Sequence, residues 1–366
     1  MCNALSKRLL TAARLMAALA LTAAAGGCSS DQSSASASER TVVVYCALDQ
    51  MFSEPLLRRF ERETGIRVQA VFDVEASKTI GLVNRLLAEQ SAPVADVFWN
   101  NEILQTLVLK KKGVIEPYRS PSAADIPAQW KDPGGFWTGF AARARVIIYN
   151  TELIPDESQA PASLADFLKP EYSGRCAIAN PLFGTTSTHT AALFAAWGPQ
   201  RARDFFYGLK NNGVLVLAGN ATVRDQVAQG EIFFGLTDTD DAVGAILNHK
   251  PVRMVFPDQN NGGTLLIPNT VALVKGAPHP EEARRLIDFI LSPAVEETLA
   301  QGRSAQIPLR PGVASSPHLP ATDSLRFMQL HFEDVLPWRE QSVLYLRSEF
   351  LSSRAPTTGG REDASR

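Results

Sequence analysis

Thr41-Val42-Val43-Val44-Tyr45, a run of β-branched and aromatic residues, and the sixty residues after it decide the fold. The run itself reads as a buried strand. Phe52, Leu56, Leu57 and Phe60 then recur at helical spacing, and Gly65 stands where a helix C-cap belongs. Ile66 to Phe72 alternates as a second strand, and Ile80, Val83, Leu86 and Leu87 mark a second helix. Asp96-Val97-Phe98-Trp99 reads as another strand, and Ile103 to Leu109 as a third helix. Strand and helix in alternation predict a mostly parallel sheet with helices on both faces.

A second set follows a loop region rich in Pro, Gly and Ser, residues 117–139. Arg143 to Tyr149 is a strand carrying two arginines, and Arg175 to Ala179 another, leading into the turn Asn180 to Gly184. Thr185-Thr186-Ser187-Thr188 opens an apolar helix through Trp197. Ala202 to Leu209 and Ala221 to Ala228 have helical patterns, with strands at Val214 to Leu217 and Ile232 to Leu236. Val271 to Val274 begins a last strand, Pro280 to Leu291 forms a helix, and Phe327 to Leu351 suits a C-terminal helix. The expected architecture is α/β: two doubly wound lobes facing each other across a cleft. Ligands of such sheets sit outside the carboxyl ends of the strands. One lobe is expected over residues 41–140 with 268–315, and the other over 141–267 with 316–351. A polar tail, 352–366, follows.

Ahead of the body, Lys7, Arg8 and Arg14 precede an apolar run from Leu15 to Ala25 that ends in Gly26-Gly27-Cys28. Basic start, short apolar core and small-residue cleavage site describe an export signal over residues 1–27. The ending resembles the lipobox of bacterial lipoproteins, which implies lipidation of Cys28. The Ser-rich stretch that follows, within residues 28–40, reads as a flexible tether. Among 366 residues, 36 Lys and Arg face 38 Asp and Glu, for a formal net charge of −2. That balance excludes a nucleic-acid binder with a basic face, and 45% hydrophobic content excludes a disordered chain. Cys46 and Cys176 are left in the body, as one disulfide or as two buried thiols.

Thr237-Asp238-Thr239-Asp240-Asp241 concentrates three carboxylates and two hydroxyls directly after a strand. Such oxygens suit a hard cation, and crowded carboxylates repel each other unless positive charge sits among them. The same run also fits a helix start with Thr239 as N-cap and Asp240 and Asp241 complementing the dipole. Gly184 to Thr188 offers backbone amides and hydroxyls at another helix start, a natural anion seat, or simply an N-cap. Arg143 can add a fork of donors to the same anion or serve as an ion-pair partner. The five histidines show no metal-ligand spacing. Neither a Gly-x-Ser-x-Gly elbow nor a His-Glu-x-x-His motif is present, so nothing points to an enzyme or a catalytic cofactor.

Several blocks, in order, resemble the ferric-ion branch of the bacterial extracellular solute-binding proteins, the receptor subunits of ABC importers. They are Val42 to Tyr45 with Pro55-Leu56-Leu57 and Phe60 to Ile66; Ala92 to Phe98; Ala142 to Asn150; Gly230-Glu231-Ile232 with Gly235-Leu236; and His279 to Ala283 leading to Phe289 to Ser292. The resemblance implies capture of a solute between two lobes and delivery to a membrane permease. It implies iron held by both lobes, with two consecutive tyrosines that would fall at Asp240 and Asp241, a histidine near Asp49 and a glutamate near Asn101. No two of the six tyrosines are adjacent, so the phenolate pair is absent. The expected cargo is accordingly a metal cation, ferric iron among the candidates, on Asp49, Asn101, Asp240 and Asp241. A synergistic anion would rest on Thr185, Thr186, Ser187, Asn220, Asp238 and Arg143. The rival cargo is an organic anion, a phosphorylated or carboxylated metabolite, on Thr185 to Ser187 and Arg143, with the aspartates accepting from its hydroxyl or amino groups. A sensory lipoprotein without transport is a further alternative. The expected form is an exported monomer, touching the membrane only through its lipid.

Overall fold

The computed structural model describes residues 40–73 and 79–352. These all belong to one compact unit, Glu39–Arg366. The export signal, the lipidated Cys28 and the tether before residue 40 lie outside the described residues, as does the tail beyond Ser352.

The strands are β1 (Thr41–Cys46), β2 (Arg67–Phe72), β3 (Val97–Asn100), β4 (Ile115–Glu116), β5 (Thr138–Asn150), β6 (Cys176–Ala179), β7 (Leu215–Leu217), β8 (Phe234–Asp238), β9 (Val252–Val255) and β10 (Leu266–Val274). The helices are α1 (Gln50–Thr64), α2 (Ile80–Ala88), α3 (Ile103–Lys111), α4 (Gly184–Trp197), α5 (Pro199–Asn211), α6 (Asn220–Ala228), α7 (Thr239–Leu247), α8 (Pro280–Ile290), α9 (Pro293–Gln301) and α10 (Phe332–Tyr345). The strands run in the order β2-β1-β3-β10-β5-β8-β6-β7, with β4 added on β10 and β9 on β5. The alternation read from the first stretch is present: β1 lies parallel between β2 and β3. Val42 and Val44 pack with Leu57, Phe60 and Ile290 on one face, while Val43 and Tyr45 pack with Leu86 and Leu107 on the other. Each such fully buried side chain contributes about 1.5–3 kcal/mol. Gly65 caps α1 at φ +67°, its amide reaching Glu61 O.

β5 is the element shared by the two lobes. From Thr138 to Ala144 it pairs antiparallel with β10, and from Arg145 to Tyr149 it pairs antiparallel with β8. Where it changes partner the backbone is irregular. Ala141 takes φ +37°, Ala305 takes φ +43°, and the register of β10 shifts between Pro268 and Asn269. Next to these, Ala142 and Ile307 exchange two 2.7 Å backbone hydrogen bonds.

Both long strands exceed the lengths expected from sequence. All thirteen residues of β5 are buried, so continuous coverage carries the strand through Gly139, which the sequence had marked as loop. A Cβ at Gly139 would lie 2.9 Å from Trp130 O, so only glycine fits that close approach. Pro268 falls at the register shift, where a missing N–H is tolerated. The C-terminal helix starts at Phe332 rather than Phe327, because Phe327 bridges to Thr264; it then passes into a π-helical turn, Leu346–Phe350. Cys46 and Cys176 are separate buried thiols, each pushed up to about 12 by burial. Among the described residues no helix is long and apolar enough to cross a membrane.

Candidate functional site

The site is assembled from strand ends. β1 leads to Asp49, β3 to Asn101, β6 to Asn180 and the start of α4, β7 to Asn220, and β8 to Asp238, Asp240 and Asp241. These are the carboxyl ends at which doubly wound sheets bind ligands. Arg143 and Arg145 rise from the point where β5 passes from one sheet to the other, two positions apart and so on one face.

Three carboxylates there meet three guanidiniums. Asp238 Oδ1 lies 2.5 Å from Arg145 Nη1, and its Oδ2 accepts from Thr185 Oγ1 at 2.7 Å and from Asn220 Nδ2 at 2.9 Å. Asp240 Oδ2 lies 3.2 Å from Arg143 Nη1, and Asp241 Oδ1 lies 3.1 Å from Arg224 Nη1. Carboxylate oxygens of Asp238, Asp240 and Asp241 all fall within 4.8 Å of one another, the spacing of a metal cluster. Their mutual repulsion is nonetheless already relieved by arginine. Burial works against the charge on Arg143, but Asp240, Asp238, Asp49 and Asp241 outweigh it and raise its pKa.

Arg143 Nη1 serves both Asp240 and Asp238, with Asp238 Oδ2 3.9 Å away, and its other donors are left over. Its side chain is 3% exposed, and its Nε and Nη2 are buried with no hydrogen bond among the described residues. A small cavity of about 30 Å³ is lined by Arg143, Asn101, Thr185, Thr186, Asn220 and Asp238 among others. The helices that begin there are uncapped by side chains: α4 has Phe183 at its N-cap and α6 has Gly219. Unsatisfied amides at two helix starts, beside unpaired guanidinium N–H groups, form an anion seat. The expectation that a Thr or Ser would cap α4 is not met. Gly184, at φ +53°, turns the chain so that the threonines enter the helix proper. Their hydroxyls serve the seat instead, Thr186 Oγ1 accepting from Arg145 Nη2 at 3.2 Å.

The other expected residues distribute as follows. Ser187 does not line the cavity; one residue further along the helix, its amide donates to Phe183 O at 3.1 Å. Thr239 is not the N-cap of α7. Asp238 holds that position, and the Thr239 hydroxyl accepts from Ala144 N at 3.2 Å. Asn101 is buried at the cavity wall and accepts from Thr79 Oγ1 at 3.0 Å. Asp49 lines a wider cleft of about 570 Å³, facing Arg224, Asp240 and Asp241. Asp241 lines both the seat and the cleft, so the two adjoin.

Two residues escaped the sequence reading. Arg145 was visible as the second arginine of its strand, and its position two residues from Arg143 was the available signal. Glu102 stands one residue beyond the place where a glutamate was expected. It is buried, caps α3 by accepting from the Leu104 and Gln105 amides, and accepts from Thr188 Oγ1 at 2.6 Å. Burial raises its pKa above the usual carboxylate range, against the lowering effect of those hydrogen bonds.

Residues 92–332 match a family model described as Bacterial extracellular solute-binding protein. A Synechocystis sp. protein named Iron uptake protein A1 is 28% identical over 295 residues, covering 76% of this chain and 79% of that one. A Salmonella typhimurium protein, named provisionally for periplasmic binding of 2-aminoethylphosphonate, is 26% identical over 264 residues, covering 70% and 74% respectively. The crystal structure of iron-bound HitA from Pseudomonas aeruginosa superposes with a TM-score of 0.75 at 25% identity, covering 84% of this chain and 98% of that one.

Proposed function

From the premise that this chain belongs to the bacterial extracellular solute-binding proteins, receptors rather than enzymes, we propose that its solute is a small organic anion bearing a phosphate, phosphonate or carboxylate group. The observation that carries this reading is Arg143: a buried guanidinium with Nε and Nη2 left unpaired, beside two helix starts that no side chain caps. A seat of about 30 Å³ admits the leading oxygens of an anionic head, while the adjoining cleft of about 570 Å³ falls in the range of small-molecule sites. The anionic head therefore occupies the seat and the body extends past Asp241 toward Asp49, where carboxylates accept from ligand hydroxyl or amino groups. The 2-aminoethylphosphonate named for the Salmonella relative has that form, an anionic head and an amine.

A second reading is ferric iron with an anion in the seat. It is favoured by the spacing of Asp238, Asp240 and Asp241 and by the iron named for the Synechocystis and Pseudomonas proteins. Iron would have to displace Arg143 from Asp240 or share that carboxylate with it. In either case the lobes close on a solute that touches both, and the closed form is delivered to an ABC permease. In this reading the body works as an exported monomer tethered through Cys28, with lobes over 41–140 plus 268–315 and 141–267 plus 316–351.

A thermal-shift panel on protein stripped by partial unfolding tests the choice. Organic phosphates, 2-aminoethylphosphonate and carboxylates are compared with ferric citrate and with citrate alone. The proposal expects stabilisation by organic anions without metal; stabilisation by iron alone would overturn it.

A further inference from the structure

Further along α4 a separate pocket of about 620 Å³ opens to solvent, bounded by α4, α5 and the segments around Leu164, Asp258 and Met328. His189, Leu193, Ala196 and Trp197 face it, the i, i+4, i+7, i+8 stripe of one helix. His189 is 4% exposed and makes no hydrogen bond to any described residue, although it lines the pocket. Burial, with the nearby charge of Arg145, holds it well below the usual histidine range. At neutral pH it therefore presents one N–H and one lone pair.

Aromatic and aliphatic side chains share the walls with polar ones such as Ser163, Asn261, Thr264 and Gln329. Trp197 and Phe205 meet edge to face with centroids 5.5 Å apart, and Leu193 and Met328 line the same space. Charge is confined to Asp204, Asp258 and Arg201. The Arg201 guanidinium lies 4.8 Å over the Trp197 ring. Two carboxylates against one guanidinium leave the lining with a net charge of −1. An apolar body with a few convergent polar groups is the composition of a small-molecule site.

We propose that this pocket is a second ligand site, independent of the cleft, that takes a small aromatic amine. The ring lies among Trp197, Phe205, Leu193 and Met328, the ammonium faces Asp204 and Asp258, and His189 supplies a hydrogen bond from within.

Calorimetric titration of the full chain with tryptamine tests this, with indole-3-acetate as the same ring carrying the opposite charge. Tryptamine is expected to bind one to one and about tenfold more tightly than indole-3-acetate. Ala196→Trp, on the exposed side of α4, should block the pocket and abolish binding without altering the fold. Asp258→Asn keeps the left-handed backbone at φ +61° and removes one charge, and should weaken binding several-fold. Arg143→Lys should leave it unchanged. The proposal is overturned if tryptamine does not bind at millimolar concentration, if it binds no better than indole-3-acetate, if Ala196→Trp binds as the parent does, or if Arg143→Lys weakens it and so places the amine in the cleft.

Discussion

The carboxylate of Glu102 accepts a 2.6 Å hydrogen bond from the hydroxyl of Thr188, and through it the start of α3 is fastened to α4 two residues past the anion seat. Both groups are buried, so neither has water to replace the other. Thr188→Val keeps the shape and removes the donor. Glu102 Oε2 keeps the Leu104 amide and loses one of its two donors, which should cost about 1 kcal/mol in urea unfolding. An unchanged midpoint would show that the contact carries no weight.

Arg143→Lys separates charge from geometry. Lysine still reaches Asp240 as a point charge but cannot present a planar fork to an oxyanion. Affinity for the organic anion identified by the panel should fall about tenfold to a hundredfold in calorimetry, with a melting temperature close to the parent's. Unaltered affinity would remove Arg143 from the seat.

Arg145 plays a different part, because its Nη1 is committed to Asp238, Thr185 and Asn220. Arg145→Met removes the nearest cation from the buried Asp238 carboxylate, leaving it Thr185, Asn220 and Arg143 at 3.9 Å, and should destabilise by about 3 kcal/mol. The double variant with Asp238→Asn should recover much of that loss. A cycle with no coupling energy would contradict the pairing.

His189 sets a pH dependence. Its folded pKa is depressed by burial and by Arg145, so the native state stays neutral where the unfolded chain already takes up a proton. Its contribution is complete above about pH 6.5 and is lost as pH falls below that, with a slope of about 1.4 kcal/mol per pH unit until the folded pKa is reached. His189→Gln should flatten the stability profile between pH 6.5 and that point. Parallel profiles for parent and variant would reject the assignment.

The chain's first half was legible because its signals are local: β1, α1 and β2 follow one another within thirty-two residues, each with its own periodicity. The acidic run at Asp238 to Asp241 was legible as composition. Its meaning was not, since Arg145 is 93 positions away and reaches Asp238 only through the antiparallel register of β5 and β8. From sequence the run shows only crowded carboxylates; the fold adds the guanidiniums of Arg143, Arg145 and Arg224 beside them. The full lengths of β5 and β10 were hidden for a similar reason, because burial on both faces depends on every other element.

Ala141 and Ala305 hold a backbone region that L-residues seldom adopt, at the place where β5 passes from one sheet to the other. Strain of this kind costs on the order of 1 kcal/mol at each residue. Such torsions bias closure only by as much as their strain differs between the open and closed lobes, and they touch no cargo. Where it differs, relieving it with glycine would rescale apparent affinity by the fraction of molecules ready to close, about tenfold for each 1.4 kcal/mol. Every solute would be rescaled alike. How strongly this receptor holds its cargo and which cargo it prefers can thus drift separately over evolutionary time.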